Sequence, residues 1–268
     1  MSDRRGERVE RLYLPQLASG AVAQGATIAL DEGQAHYLVR VLRLRKGDRL
    51  RAFDGVAREY AAVLADDRPR RVTLEIGVVA REEAPPAFRA VLAQGLAKQD
   101  KLDVVIQKAV ELGVARVRPF VSRRAVLRLD AAETERRLDR WRKVAAEACR
   151  QCGRIRLAEL DAPVSFETLL DSALADGPLL LAYEGRDAEP LTAFAASPGA
   201  RTATLVVGPE GGFAPEEAQT ARERGARLVS LGPRILRTET AGPAFLAIVQ
   251  YLWGDLATGR PATGEEER

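Results

Sequence analysis

Two glycine-containing segments in the last quarter of the chain are the residues best suited to bind a cofactor. Residues 208–212 read Gly-Pro-Glu-Gly-Gly, and residues 232–241 read Gly-Pro-Arg-Ile-Leu-Arg-Thr-Glu-Thr-Ala. Each segment directly follows a predicted strand, and open α/β sheets bind ligands in the loops at the carboxyl ends of their strands. Glycine lets backbone groups approach a bound molecule closely. Together the segments predict a pocket for a nucleoside-like cofactor, although either one alone favours a plain tight turn.

The same region lacks the signatures of common nucleotide enzymes. No glycine-rich run ends in Gly-Lys-Ser or Gly-Lys-Thr, and no Gly-x-Gly-x-x-Gly follows the first strand of the predicted α/β region. Nucleotide hydrolysis and dinucleotide-dependent dehydrogenation therefore lose support. The only histidine, His36, lies on a predicted helix far upstream, which favours packing or RNA contact over catalysis. Cys149 and Cys152 are too few for a zinc site, and we predict no metal.

Positive charge is concentrated locally, although Lys+Arg 41 nearly balances Asp+Glu 38 overall. Residues 36–51 contain one acid, Asp48, against six basic residues: Arg40, Arg43, Arg45, Lys46, Arg49 and Arg51. Such a stretch predicts contacts with phosphates, and a solvated charged face is the alternative. Plausible companions lie further along the chain: Arg123, Arg124, Arg150 and Arg154. No segment approaches the roughly 20 apolar residues of a membrane span, so we expect a cytoplasmic protein.

The elements that must position these residues fall into two groups. Residues 11–14, 26–30, 49–54, 59–64 and 72–79 are predicted strands, and residues 33–42 are a predicted helix with Asp31 as its N-cap. This pattern predicts a small β-barrel or sandwich domain over residues 1–80. The charged, proline-paired residues 81–87 then predict a linker.

After the linker the pattern changes to strands alternating with helices, which predicts an α/β domain over residues 88–257. The predicted strands are 88–94, 116–121, 179–183, 202–207 and 227–231. The predicted helices are 100–112, 131–152, 215–225 and 242–256. The polar tail, 258–268, is predicted to be disordered.

Residues 205–213 and 231–241 resemble the cofactor-binding motifs of the RsmE family of 16S rRNA uridine-N3 methyltransferases, in the SPOUT superfamily. The likeness continues upstream in Lys98 and in residues 107–114 and 147–154, and it reaches residues 36–43, 47–48 and 53–55, so that it covers nearly the whole chain. One departure is Gly242-Pro243, where the family usually has small or apolar helix formers; it bears on where the last helix starts.

The resemblance implies a PUA-like barrel, an α/β domain with a deep trefoil knot, and a homodimer formed through the knotted region. It also implies S-adenosylmethionine as methyl donor and a uridine near the 3′ end of 16S rRNA, within the small ribosomal subunit, as substrate. By the same analogy, the cofactor would contact Gly208, Pro209, Glu210, Gly211, Gly212, Leu231, Gly232, Ile235, Leu236, Thr240 and Ala241.

Two residues of the second segment are candidates for the chemistry. We expect Arg237 and Glu239 to border the reacting base, with Arg237 stabilising negative charge on the uracil carbonyls. A structural salt bridge or helix cap is an equal alternative for Glu239. The expected RNA contacts are Arg40, Arg43, Arg45, Lys98, Arg123 and Arg154.

Two other functions remain open on the sequence. Another SPOUT methyltransferase would act on a ribose 2′-oxygen or on transfer RNA. A non-catalytic RNA-binding or ribosome-assembly factor would need only the barrel and the basic stretch, and it would have no use for the two glycine segments.

Overall fold

The computed structural model describes residues 9–20, 22–69, 71–97, 101–124, 130–194 and 201–258. The predictions made for Lys98 and for the tail at 259–268 lie outside these residues. The chain divides into two compact units. The first consists of Met1–Pro85 and Cys149–Leu157, and the second of Pro86–Ala148 and Ala158–Arg268.

The first unit is built on a five-stranded sheet with the order β1-β3-β4-β5-β2. Its strands are β1 (Arg11–Tyr13), β2 (Thr27–Ala29), β3 (Arg49–Phe53), β4 (Arg58–Asp66) and β5 (Thr73–Glu82). All neighbouring pairs are antiparallel except β1 and β3. The structure thus confirms all five predicted strands. Strand β5 runs on to Glu82, into the predicted linker, because Glu82 pairs with Arg58 of β4.

The predicted helix of the first unit is present, but it changes character halfway. Helix α1 (Glu32–His36) begins at Asp31, whose carboxylate accepts a hydrogen bond from the Gln34 amide at 2.8 Å. The Gln34 side chain in turn accepts from the Asp31 amide at 3.2 Å, which completes a capping box and confirms the predicted N-cap. A π-helical turn (Tyr37–Val41) follows directly.

The second unit contains an eight-stranded sheet in which every recorded pairing is parallel. The order is β11-β13-β10-β12-β6-β7-β8, and β9 pairs with β7. The strands are β6 (Arg89–Gly95), β7 (Arg116–Val121), β8 (Glu159–Leu160), β9 (Val164–Ser165), β10 (Leu179–Ala182), β11 (Glu189–Pro190), β12 (Thr202–Val207) and β13 (Arg227–Ser230). The five predicted strands are confirmed, and the two-residue strands β8, β9 and β11 were not predicted.

The helices of the second unit are α2 (Lys101–Glu111), α3 (Ala131–Cys152), α4 (Phe166–Asp176), α5 (Pro215–Glu223) and α6 (Thr238–Trp253). Helix α4 was not predicted, although the sequence carries its signals. The Ser165 hydroxyl accepts from the Thr168 amide as an N-cap, and Phe166, Leu169 and Leu170 are buried with helical spacing. No helix in the described residues is long and apolar enough to cross a membrane.

Helix α6 begins four residues before the predicted start at residue 242, so that prediction is wrong. Arg237 is its N-cap, and the Thr240 and Ala241 amides both donate to the Arg237 carbonyl at 2.8 Å. Pro243 therefore lies inside the helix. A proline this close to the helix start removes only one hydrogen bond, that to the Glu239 carbonyl, and the buried face of α6 outweighs this loss.

The last turn of α3 and the loop after it complete the first unit. Arg11 Nη1 donates to the carbonyls of Cys149 at 2.8 Å and Arg150 at 3.2 Å, and Nη2 donates to the Arg154 carbonyl at 2.9 Å. Glu59 balances the guanidinium at 2.5 Å. Arg11 thus caps the carbonyl end of α3.

Candidate functional site

Three loops of the second unit enclose a cavity of about 740 Å³ at the carboxyl ends of neighbouring parallel strands. The first loop (208–214) follows β12, the second loop (231–237) follows β13, and the third loop (183–188) follows β10. Because β13, β10 and β12 are adjacent in the sheet, these loops meet. The volume is in the range of small-molecule sites, roughly 300–1,000 Å³.

The cavity brings together most of the residues predicted from the two glycine segments. All the predicted cofactor residues except Thr240 line it, as do Arg237 and Glu239. Thr240 lies exposed on α6 and is not part of the lining. The sequence reading missed the third loop, which contributes Tyr183, Glu184 and Gly185.

Glycines in and beside the first loop allow close packing at some positions and an unusual backbone conformation at another. A Cβ on Gly95, the last residue of β6, would lie 2.5 Å from the backbone nitrogen of Pro209. A Cβ on Gly208 would lie 3.1 Å from the Phe213 ring, and Gly212 has a positive φ of 65°. Gly95 is therefore required by close backbone packing and Gly212 is favoured by its backbone conformation, whereas a side chain at Gly208 would require the Phe213 ring to shift.

A buried hydrogen-bond chain ties the first loop to strand β6 and helix α6. Gln94 Nε2 donates to Thr238 Oγ1 at 2.8 Å, and Thr238 Oγ1 donates to the Gly208 carbonyl at 2.7 Å. Both side chains belong to buried residues. Gly242 makes room for the amide, because a Cβ there would lie 2.7 Å from Gln94 Oε1. Sequence reasoning missed Gln94 and Thr238, since neither is unusual in type or local spacing.

Glu217 of α5, also missed, connects the first loop to the loop after β7. Its buried carboxylate accepts from the Arg123 amide at 2.8 Å and from the Ala214 amide at 2.9 Å. Arg124 Nη1 then donates to the Gly211 carbonyl at 3.1 Å, so Arg124 lines the cavity. The available signal was Glu217 at the third position of a helix that begins with proline.

Lys101, at the start of α2, joins the first loop to α6 by charge. Its Nζ lies 3.2 Å from Glu210 Oε1 and 3.4 Å from Glu239 Oε2. The hydrogen bond to Glu210, and then that to Glu239, raise the pKa of Lys101. A hydrogen bond from its own backbone amide, and then Lys101, lower the pKa of Glu239. Glu239 therefore lines the cavity and forms a salt bridge, and its place beside the reacting base stays a prediction.

The cavity suits a partly apolar molecule with several polar groups. Phe213, Leu231 and Leu236 supply apolar surface, the glycines expose backbone groups, and charged side chains of both signs lie around them. No group of three or more potential metal ligands occurs among the described residues. Burial raises the pKa of the Cys149 thiol to about 12, so this cysteine is not a nucleophile at neutral pH.

The predicted RNA contacts that the structure describes belong to both units. Arg40, Arg43 and Arg45 are exposed in the first unit, and Arg154 is half-buried in the segment Cys149–Leu157. Its companion Arg150 lies over the Tyr37 ring at 4.6 Å. Arg123 is in the second unit, where its backbone amide is bound by Glu217.

Comparison with known families gives two matches. Residues 84–250 match the RNA methyltransferase domain, and residues 30–77 match the RNA methyltransferase PUA domain. Ribosomal RNA small subunit methyltransferase E of Bacillus subtilis is 30% identical over 244 residues, covering 89% of this chain and 95% of its own. The protein of that name from Mycobacterium tuberculosis is 33% identical over 232 residues, covering 85% of this chain and 87% of its own.

Two solved structures are similar over nearly the full length. A protein from Legionella pneumophila, described as a methyltransferase in complex with the cofactor SAM, has a TM-score of 0.86 at 30% identity, covering 93% of this chain and 100% of its own. A ribosomal RNA small subunit methyltransferase E from Neisseria gonorrhoeae, bound to S-adenosyl methionine, has a TM-score of 0.82 at 32% identity, with 92% and 99% coverage.

Proposed function

Because the chain belongs to the ribosomal RNA small subunit methyltransferase E family, we propose that it transfers a methyl group from S-adenosylmethionine to N3 of a uridine near the 3′ end of 16S rRNA. The family supports the coarser part, methylation of small-subunit rRNA, and the two SAM-bound relatives support the cofactor. The observation that carries the proposal is the single cavity lined by both glycine loops.

The fold is a SPOUT-type α/β domain with a PUA-like domain before it, as the resemblance implied. We extend the proposal to the trefoil knot and to a homodimer formed through the knotted domain. Exposed apolar side chains on α6, Ile248 at 39% and Tyr251 at 63%, support the homodimer because a partner's surface would cover them.

The cavity fits the cofactor in size and in the chemistry of its lining. Backbone groups of the two glycine loops would hold it, with Leu231, Leu236 and Ala241 against its apolar parts. When bound, S-adenosylmethionine supplies a methyl group that its sulfonium makes electrophilic. Holding two reactants in line contributes roughly 7–11 kcal/mol in favourable cases, which makes orientation a principal task of these loops.

The remaining task is to favour loss of the N3 proton, which leaves negative charge on the uracil ring. Arg237 lines the cavity and would stabilise that charge. Lys101 also lies at the cavity, but Glu210 and Glu239 balance its charge, so this role falls to Arg237. Glu239 has a lowered pKa, so it is a weak base, and its role is to hold Lys101 in place.

RNA recognition is assigned to the basic residues predicted from the sequence. We propose phosphate contacts for Arg40, Arg43, Arg45, Lys98, Arg123 and Arg154. The high exposure of the first three supports this assignment. With the small ribosomal subunit as substrate, the protein would act in the cytoplasm.

Mass spectrometry of digested RNA tests the proposal. We expect N3-methyluridine in 16S rRNA after incubation of the protein and S-adenosylmethionine with small subunits from cells that lack it, and less with naked 16S rRNA. A methylated ribose or modified transfer RNA would assign the chain to another SPOUT activity. Calorimetry with S-adenosylmethionine should show binding, and its absence would favour a non-catalytic assembly factor.

A further inference from the structure

Arg43 holds a backbone conformation that normally belongs to glycine. Its φ is +59°, and it is the only non-glycine residue with positive φ in the described part of the chain. It ends the helical segment formed by α1 and the π-helical turn, where the Leu44 amide donates to the Leu38 carbonyl at 3.0 Å. This bond spans one residue more than the six-to-one bond that typically closes a helix at a left-handed glycine, because a π-helical turn precedes it. An arginine there strains the backbone, because its Cβ crowds the following carbonyl oxygen.

No side-chain hydrogen bond or ion pair within the described residues offsets the backbone strain at Arg43. The side chain is exposed, and within the described residues the guanidinium takes part in no hydrogen bond, ion pair or ring contact. Glycine would fit this turn with less strain and lose no contact there. The described part of the chain thus supplies no reason for arginine at this position, and strained residues concentrate at functional sites.

The neighbours of Arg43 indicate what kind of partner its side chain suits. We define the basic patch as Arg40, Arg43, Arg45, Lys46 and Arg49. All five are exposed, and none has an acidic side-chain partner within the described residues. Elsewhere in the same unit arginines are paired: Arg58 with Glu82, Arg68 with Asp66, and Arg81 with Glu59. Unpaired cations in one continuous stretch suit a polyanion.

We propose that Arg43 is retained at a strained position because its guanidinium contacts a phosphate of the RNA substrate, so that the protein gives up stability for binding. This inference rests on the proposed function. Among polyanions, RNA is favoured because the patch lies within the region that matches the RNA methyltransferase PUA domain. Arginine suits the task because its planar fork matches the geometry of a phosphate.

Three variants separate strain from charge. Arg43→Gly should raise the melting temperature by about 2–4 °C, since the strain is relieved. It should also weaken binding to a transcribed 16S rRNA fragment several-fold and reduce the slope of log K against log salt by about 0.7–0.9. Arg45→Gly removes the same charge from a neighbouring site without positive φ, so it should weaken binding without stabilising the fold. Arg43→Lys keeps the charge and the strain, so the melting temperature and the salt slope should stay unchanged, while loss of the planar fork should weaken binding, though less than Arg43→Gly does.

The outcomes distinguish this inference from the proposed function. If the wild type binds neither the rRNA fragment nor small subunits, the proposed function is wrong. If the wild type binds and Arg43→Gly binds equally well with the same salt slope, the inference is wrong while the function stands. An unchanged or lower melting temperature for Arg43→Gly would also overturn it. So would binding of the wild type to anionic phospholipid vesicles in preference to RNA.

Discussion

The Thr238 hydroxyl lies between a buried amide and a loop carbonyl, where valine would have nearly the same shape but no hydrogen bond to offer. Thr238→Val leaves Gln94 Nε2 and the Gly208 carbonyl without their partner. Each unsatisfied buried group costs about 1–3 kcal/mol. We expect the dissociation constant for S-adenosylmethionine, measured by calorimetry, to rise at least about tenfold.

Two matched variants control this experiment. Thr238→Ser keeps the hydroxyl and should bind the cofactor nearly as well as the wild type. Thr240→Val changes an exposed residue of the same helix that is not part of the cavity lining, so it should leave affinity unchanged. Equal affinities for Thr238→Val and Thr240→Val would show that the chain from Gln94 to Gly208 does not position the loop.

Glu239→Gln tests whether this carboxylate acts through charge or through proton transfer. The pKa of Glu239 is lowered in the folded protein, so folding favours its ionised form. The resulting stabilisation is complete above the unfolded pKa of about 4.3, and it is lost as the pH falls through the lower folded pKa. We expect Glu239→Gln to reduce turnover at saturating RNA without changing the shape of the pH–rate profile between about pH 6 and pH 9. Loss of a titration from that profile would make Glu239 the base instead.

Among single residues, the sequence revealed those whose type is unusual in its place. It missed those whose role arises only when folding brings distant residues together. Glycine and proline in 208–212 marked a loop whatever its surroundings. Lys101, by contrast, gains its role only because folding brings it to Glu210 and Glu239, which are distant in sequence. The spacing of residues along the chain contains no information about such a long-range contact.

Among the elements, the carboxyl end of β6 and the first loop approach each other too closely for any side chain. Gly95→Ala would place a Cβ 2.5 Å from the Pro209 nitrogen, and backbone on both sides limits relaxation. We expect a loss of about 1–3 kcal/mol in the free energy of unfolding, measured by denaturant titration, together with weaker cofactor binding.

Gly33→Ala is the matched control, because a Cβ there comes no closer than 3.4 Å to the Asp31 carboxylate. It should leave stability unchanged or slightly improved, since alanine favours helix α1. If both alanine variants were equally stable, the close approach of β6 to the first loop would be irrelevant to stability.

Element types followed from the sequence more reliably than their ends. Alternating or continuous apolar runs located all ten predicted strands, because burial on one or both faces imposes those patterns. The start of α6 was placed at residue 242, just before Pro243, although the buried face of the helix already includes Thr238 and Ala241. Tertiary packing outweighed the local preference of one residue.

For the whole molecule, the proposed homodimer predicts that an exposed apolar face of α6 is covered in solution. Ile248→Glu combined with Tyr251→Glu should shift the sedimentation coefficient from that of a dimer to that of a monomer, because charges would be buried in the interface. Val78→Glu, which changes an exposed apolar residue of β5, should leave the dimer intact. A monomeric wild type would refute the dimer outright.

The division of the chain into units was the part least accessible to sequence reading. A linear scan assigns each domain one continuous range, whereas Cys149–Leu157 belongs with the first unit. The residues responsible are ordinary ones: Arg11 finds its acceptors in backbone carbonyls, which every residue possesses. The pattern of side chains therefore did not predict that Arg11 binds the segment Cys149–Leu157.

That anchoring by Arg11 limits how this protein can be dissected or recombined. A fragment that stops at Pro85 would leave the guanidinium with Glu59 but without the carbonyls of Cys149, Arg150 and Arg154. Transplanting the first unit into another protein consequently means moving two pieces of the gene and rejoining them. Exchange by a single crossover would separate the Arg11 guanidinium from the backbone carbonyls that it binds.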